Sequence, residues 1–364
     1  MKIAVVGATG LVGGVMLQVL QERGFGKEEI IAAASQRSVG KTIPFAGREL
    51  TIVSVEDAIA QRPDYAIFSA GAGPSKEYAP RFAATGTVVI DNSSAWRKDD
   101  DKPLVVPEIN IDAVKPTDHI IANPNCSTIQ MVLAISRLHS HYGIRRIVVC
   151  TYQSVTGTGM SAIKQLVHEE KLDAGKLKEY YDPCLCPECQ AKHKEEPWVI
   201  EPTGRDYNMK YPYQIHRNLF PYGGDFLPND YTTEEQKLVD ETRKILRDNR
   251  IQISATVVRV PVVGGHSESV NLEFRQDYDI TEVRQLLRDT PGVVLYDDPS
   301  RLRFPMPIMA EGRDEVFVGR VRRDDSQPNS LNLWVVADNL RKGAATNAIE
   351  IMQELMSVNK PLED

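Results

Sequence analysis

Lys2-Ile-Ala-Val-Val6-Gly7-Ala-Thr-Gly10-Leu-Val-Gly13-Gly14, near the start of the chain, decides the reading of the fold. Lys2 to Val6 is an apolar run that reads as a strand, and Val15-Met-Leu-Gln-Val-Leu20 starts a helix. Strand, glycine turn and helix form the first unit of a dinucleotide-binding fold. The glycines let the backbone approach a pyrophosphate, and the helix N-terminus receives its charge. The spacing is G-x-x-G-x-x-G rather than G-x-G-x-x-G. Its place directly after a strand gives the motif its weight.

Outward from this unit the pattern repeats. Strands are expected over Glu29–Ala34, Thr51–Ser54, Tyr65–Ser69, Thr87–Ile90 and His119–Ala122. Helices are expected over Val55–Gln61 and Ser75–Ala84. Such alternation predicts a parallel sheet covered on both faces. After the second strand, an NAD site would usually carry an acid for the ribose hydroxyls. Here Ser35-Gln-Arg37-Ser38 follows, with Lys41 close behind. Arginine and hydroxyls suit the 2′-phosphate of NADP, which an acid would repel. Ser69-Ala-Gly-Ala-Gly73 ends one strand and Asp91-Asn-Ser-Ser-Ala-Trp-Arg97 the next, so Arg97 lies at the carboxyl edge of the sheet. A guanidinium there can hold a carboxylate or phosphate by two bonds, although a plain surface arginine fits the local sequence equally.

The chain has 364 residues, which implies two domains. A net charge of -7 leaves no basic surplus for nucleic acid or anionic membrane. No apolar run approaches a membrane span, and the opening reads as a strand rather than a signal peptide. Five cysteines, three of them bunched, do not make a disulfide framework, so the cytoplasm is the expected compartment.

Asn123-Pro-Asn-Cys126-Ser-Thr-Ile-Gln130 lies between a strand and the helical run Ile129–Leu138. Pro124 keeps Asn123 out of helical geometry, and Ser127 and Thr128 are candidate caps. Cys126 thus stands at a helix N-terminus, which favours thiolate and offers amides to an anion or oxyanion. A small buried cysteine is the plainer reading of the same position. Beyond it, Arg145–Tyr152 reads as a strand ending in Gln153-Ser-Val-Thr-Gly157. The neutral Gln153 is suited to orienting a substrate, and Cys150 is expected in the core. Met160–Glu170 reads as a helix. The stretch from about 172 to 225 is irregular and holds Cys184, Cys186, Cys189 and His193. Such a set can bind zinc, but its spacing matches no common finger pattern, and no metal is assigned to the site.

Thr232 or Thr233 caps a helix running to about Arg247, with Glu234 and Lys237 three apart on one face. Ile251–Val263 reads as a strand in which Val257, Arg259 and Pro261 share a face. An arginine inside an apolar run implies an anionic partner. His266 is expected in a tight turn before the strand Val270–Phe274, and histidine beside a candidate thiolate suits proton transfer. Later strands over 293–296, 316–321 and 330–336, and a last helix over 348–356, complete the pattern. The predicted fold is an α/β Rossmann-type NADP-binding domain plus an α+β catalytic and dimerisation domain with a mixed sheet. The expected boundaries are 1–128 plus 339–364 for the first domain and 129–338 for the second.

Taken together, Gly7–Gly13, Asn123–Thr128, Thr151–Gly157, Glu234-x-x-Lys237, Arg259-Val-Pro through His266-Ser and Asp338-Asn-Leu-Arg-Lys-Gly-Ala-Ala resemble the aspartate-β-semialdehyde dehydrogenases of the bacterial type. They run in family order over nearly the whole chain; the segment near 184–193 is foreign to it. The resemblance implies NADPH-dependent reduction of L-4-aspartyl phosphate to L-aspartate 4-semialdehyde, with phosphate release, toward lysine (through diaminopimelate), methionine and threonine. It implies Cys126 as nucleophile and His266 as acid/base. Gln153 and Arg259 would hold substrate, Arg259 on its carboxylate, and Glu234 would meet its amine, with Asn125 in support. Arg97 and Lys237 would hold phosphate. Thr9, Gly10, Leu11, Val12, Arg37, Ser38, Thr156, Gly157 and Asn339 would touch NADP, beside Gly7 and Gly13 of the turn. A homodimer or homotetramer is implied.

The chemistry agrees with the residues. A thiolate attacks the acyl phosphate to give a thioester, which accepts hydride better than a carboxylate does. His266 would take the thiol proton and return it later. N-acetyl-γ-glutamyl-phosphate reductase shares this fold and chemistry, but that family resembles Asn-Pro-Gly-Cys-Tyr at its nucleophile, against Asn125-Cys126-Ser127 here. A non-catalytic nucleotide-binding protein is the alternative of another class; it would have no need of Cys126 and His266 together with every basic partner.

Overall fold

A computed structural model describes residues 1–172 and 210–358. Cys184, Cys186, Cys189 and His193 lie outside the described residues. Two sheets carry the fold. The first has strands β1 (Lys2–Val6), β2 (Glu29–Ala33), β5 (Tyr65–Phe68), β6 (Val88–Asp91) and β7 (Ile120–Ala122), in the order β2-β1-β5-β6-β7. All four pairings are parallel. A parallel sheet is covered on both faces, so its strands are near-continuously apolar. Ile3, Ala4, Val5 and Val6 are accordingly all fully buried.

Helix α1 (Leu11–Glu22) starts earlier than periodicity predicts, directly after Gly10. Close packing explains this glycine turn. Gly7 has φ +90°, and a Cβ on it would stand 2.4 Å from the Ser69 carbonyl oxygen. A Cβ on Gly13 would stand 2.2 Å from the Gly7 carbonyl oxygen. The turn therefore closes on itself only without side chains. Helices α2 (Val55–Ala60) and α3 (Ala72–Ala83) follow. The strand predicted over 51–54 is corrected. Residues β3 (Thr42–Phe45) and β4 (Arg48–Thr51) form a separate antiparallel hairpin, and only Val53 bridges to Ala33.

After α4 (Pro107–Asn110), helix α5 (Cys126–Tyr142) leads into the second sheet. Its strands are β8 (Ile144–Gln153), β9 (Gln252–Arg259), β10 (His266–Phe274), β11 (Val293–Leu295), β12 (Val316–Arg323) and β13 (Ser330–Ala337), in the order β11-β12-β13-β10-β8-β9. Outer pairs are parallel and inner pairs antiparallel, the predicted mixed sheet. Its inner face packs against α5, with Met131, Leu133, Ile135 and Leu138 set into Ile147, Val149, Val270 and Leu272. The periodic apolar residues of α5 are thus the lid of this core. The opposite face is half-exposed. Cys150 lies there rather than in the core, because β8 alternates and puts Thr151 and Gln153 inward instead.

Helices α6 (Met160–Glu170), α7 (Thr233–Leu246), α8 (Ile280–Arg288) and α9 (Pro307–Ala310) surround the second sheet. Thr232 and Glu235 close a reciprocal capping box on α7. Finally α10 (Thr346–Val358) returns to the first sheet, placing Ile349, Ile351 and Met352 in the same core as Ile3 and Val5. A π-turn over Arg341–Ala345 precedes it. Within that turn Lys342 is buried and paired with Glu108 at 2.5 Å and Glu350 at 2.6 Å.

Candidate active site

Cys126 is the first helical residue of α5, and its cap differs from expectation. Asn125 is the N-cap, its side-chain oxygen accepting from the Ser127 amide at 3.1 Å. Ser127 and Thr128 lie inside the first turn, buried. Asn123-Pro forces the turn, and Asn123 is held from both sides. Its amide donates to the Asn92 side chain at 2.7 Å, and its carbonyl accepts from Asn347 at 2.6 Å.

The π-turn presses on the nucleophile. A Cβ added to Gly343 would stand 2.8 Å from Cys126 Cβ. Half-buried, Cys126 faces a cavity of about 200 Å³ lined by Arg97, Asn125, Thr156, Gly157, Lys237 and Asn339, among others. Burial pushes the thiol up to about 11, and the Glu234 carboxylate adds to this. Arg259, Arg97 and the Ser127 amide pull the other way without prevailing. Burial here works against the thiolate that the helix terminus favours.

His266 and Arg259 stand behind Gly157. A Cβ there would lie 3.1 Å from the His266 ring and 3.3 Å from Arg259 Nη1. His266 is the first residue of β10, not part of a turn, and is wholly buried. Its Nδ1 accepts the Ser154 amide at 3.0 Å, so the neutral ring carries its proton on Nε2. Nε2 has no partner among the described residues. Burial, then the Arg259 charge, lowers the pKa of His266 to about 3. The ring is thus offered as a neutral donor. Taking the thiol proton would require the other tautomer and the loss of the Ser154 bond.

Arg259 ends β9, buried, and its guanidinium has no hydrogen bond or ion pair among the described residues. A buried unpaired cation is poised for an anion. Glu234 and Lys237 are paired with each other in the first turns of α7, and Glu234 also accepts the Asn125 amide at 2.9 Å. Gln153 is buried and donates to Ser127 Oγ at 2.8 Å, so it braces the nucleophile's helix. Thr156 donates to Asn339 at 2.8 Å, which joins the two cofactor candidates across the site.

Sequence reasoning missed Glu241. One carboxylate oxygen lies 3.2 Å from Arg97 Nη1 and the other accepts the Asn125 amide at 2.6 Å. Both charged groups are buried. Its signal was available, since 234, 237 and 241 follow the i, i+3, i+7 spacing of one helix face. Gly343 and the Ser154 amide were also missed, and neither carries a local signal.

A second cavity of about 490 Å³ is lined by Gly7, Thr9, Gly10, Ser35, Gln36, Ser69 and Ala70, among others. Its glycine floor, where a Cβ would collide, fits a dinucleotide's phosphates. Val12 lines the smaller cavity, and Leu11 and Gly13 support the turn between the two. Arg37 and Ser38 share the short turn Gln36–Ser38 at this cavity but do not line it. Among the described residues, no cluster of metal-ligating side chains occurs, and no helix is long and apolar enough to cross a membrane.

Residues 2–117 match the model for the semialdehyde dehydrogenase NAD binding domain, and 135–342 that for the semialdehyde dehydrogenase dimerisation domain. The aspartate-semialdehyde dehydrogenase of Aquifex aeolicus is 47% identical over 98% of each chain. That of Bacillus subtilis is 41% identical over 99% of this chain and 98% of that one. The crystal structure of aspartate semialdehyde dehydrogenase II from Vibrio cholerae superposes with TM-score 0.85 at 42% identity, covering 99% of both chains. The structure of aspartate semialdehyde dehydrogenase II from Vibrio cholerae complexed with ASA gives 0.84 at 41% identity over the same share.

Proposed function

Since the chain belongs to the aspartate-semialdehyde dehydrogenase family, we propose that Cys126 is the nucleophile of that family's reaction and that the cavity around it binds the substrate. The reaction is the NADPH-dependent reduction of L-4-aspartyl phosphate to L-aspartate 4-semialdehyde, with release of phosphate. It serves amino-acid biosynthesis toward lysine, methionine and threonine. The observation that carries the reading is one cavity in which a cysteine at a helix N-terminus meets Arg97 and Lys237, with Arg259 and His266 behind Gly157.

Arg259 takes the α-carboxylate, and Glu234 the α-ammonium, held by Asn125. Arg97 and Lys237 take the phosphate. Pairing Glu234 with an ammonium offsets the negative charge that raises the Cys126 pKa, so substrate itself favours ionisation of the thiol. The sulfur bonds to the acyl carbon as the acyl–phosphate bond breaks, and the thiol proton leaves on the phosphate. No protein base is required for that balance, in keeping with a donor at His266 Nε2. NADPH held by the glycine turn and by Thr156, Gly157 and Asn339 would supply hydride to the thioester carbon. His266 Nε2–H then stabilises the oxyanion, a kind of interaction worth roughly 10²–10³ in kcat. Collapse of the oxyanion to the aldehyde breaks the carbon–sulfur bond and releases the Cys126 thiolate, which takes a proton from water.

The preferred cofactor is NADP, held by Gly7, Thr9, Gly10, Leu11, Val12 and Gly13 of the turn, by Arg37 and Ser38, and by Thr156, Gly157 and Asn339. Residues 1–128 with 339–364 form the NADP-binding domain, and 129–338 the catalytic and dimerisation domain. The protein works in the cytoplasm as a homodimer or homotetramer.

The test is the reverse assay, following NADPH formation from L-aspartate semialdehyde, phosphate and NADP. Activity that prefers NADP over NAD and disappears in Cys126→Ala is expected. Activity only with N-acetylglutamate semialdehyde would overturn the substrate. No activity with either would leave a nucleotide-binding protein.

A further inference from the structure

Glu268 is fully buried, yet it belongs to no ion pair among the described residues. It follows His266 by two residues on β10 and faces the same way, toward α5. Its neighbours across the sheet are Thr151 on β8 and Val335 on β13. From α5 it meets Gln130, one turn beyond Cys126 and also fully buried. None of these groups is cationic, and His266, two residues before it on the same strand, is neutral.

The polar atoms here share one deficiency. Both carboxyl oxygens of Glu268, the side-chain oxygen of Gln130 and the hydroxyl of Thr151 lack hydrogen-bond partners among the described residues. Three of the four can only accept unless Glu268 carries a proton. An isolated carboxylate in such a place is heavily penalised and takes up a proton instead. Burial accordingly pushes Glu268 well above the usual carboxyl range, and the neighbouring Gln130 side chain pulls the other way without prevailing. That proton supplies the donor Gln130 lacks. Gln130 in turn directs its amide at the His266 carbonyl, 3.5 Å away.

We propose that Glu268 is a neutral carboxylic acid whose O–H donates to Gln130 Oε1, and that this pair is a positioning device for His266. It joins α5, which carries Cys126, to the start of β10, which carries His266. The distance from sulfur to His266 Nε2 is then set beneath the site rather than within it. Glu268 touches no reacting atom. The inference rests on the reading of Cys126 and His266 as the catalytic pair.

Three single variants, one double variant and one spectrum test it. Glu268→Met removes the donor at similar volume, and the reverse assay should show kcat down about tenfold to a hundredfold with KM little changed. Glu268→Gln restores a neutral donor and should recover most of kcat. Gln130→Leu should match Glu268→Met, and adding it to Glu268→Met should cost little more. In the infrared, wild type near pH 7.5 should show a carboxylic-acid carbonyl band absent from Glu268→Gln. This band reports on the protonation of Glu268 even if a variant folds poorly. A missing band, Glu268→Gln as poor as Glu268→Met, or wild-type kcat in Glu268→Met would each overturn the proposal. If Cys126→Ala stayed active, the catalytic reading would fail while the infrared band still reported on Glu268.

Discussion

Arg97 and Glu241 form a buried ion pair at 3.2 Å, and the second oxygen of Glu241 accepts the backbone amide of Asn125 at 2.6 Å. One carboxylate therefore aims the candidate phosphate ligand and holds the turn that presents Cys126. Arg97 is further fixed by donation to the Asn92 carbonyl at 2.9 Å, while its Nε has no hydrogen-bond partner among the described residues. Removing Glu241 leaves a buried charge and a buried amide unpaired. Glu241→Leu is expected to cost about 3–5 kcal/mol of stability, and surviving protein should show a raised KM for phosphate in the reverse assay. Thermal melts and phosphate titrations check both.

Ser154 holds His266 in one tautomer. With a ring pKa near 3, no histidine limb from this residue should appear between pH 5 and 8 in kcat/KM. His266→Asn keeps a side-chain N–H donor and should retain more activity than His266→Ala. A limb near pH 6.5 that vanishes in His266→Ala would instead identify a base.

Cys126 in the ligand-free protein should alkylate slowly at neutral pH, because thiolate is the reactive form. Its rate with iodoacetamide should climb with pH toward an inflection near 11. Glu234 raises that value by its charge, so Glu234→Gln should shift the inflection down. An unshifted profile would remove Glu234 from the account of thiol activation.

Gly157 leaves room for two ligands at once. In Gly157→Ala the new methyl would crowd the His266 ring at 3.1 Å and Arg259 Nη1 at 3.3 Å. Displacement of both should lower kcat/KM about tenfold or more while the melting temperature changes little. The assay with L-aspartate semialdehyde, beside a melt, separates the two effects.

Arg37 is exposed on the turn after β2. Arg37→Ala should raise KM for NADP about tenfold to a hundredfold, the worth of a charge-assisted hydrogen bond, and leave KM for NAD nearly unchanged. Equal effects on both cofactors would remove Arg37 from the 2′-phosphate.

Local sequence determined much of this protein. The apolar runs over 2–6, 65–68 and 88–91 specified buried parallel strands, and the glycines at 7, 10 and 13 specified the turn, because sterics act between near neighbours. Cys126, Arg259 and His266 were each legible as chemically pointed residues in a suitable local setting, whereas Glu234 and Lys237 read locally as a surface ion pair and gained a role only from the resemblance. The hairpin 42–51 was not, since its short half-exposed strands carry little apolar signal.

Tertiary structure alone decided the states of those residues. Whether Cys126 is thiol or thiolate depends on desolvation by the returning π-turn and on the charge of Glu234, more than a hundred positions away. Which nitrogen of His266 bears the proton depends on the Ser154 amide, just past the end of the neighbouring strand β8. Glu241 and Glu268 became meaningful only when folding buried them. Electrostatic effects act through space and scale with burial, and neither distance nor burial is written in the order of residues.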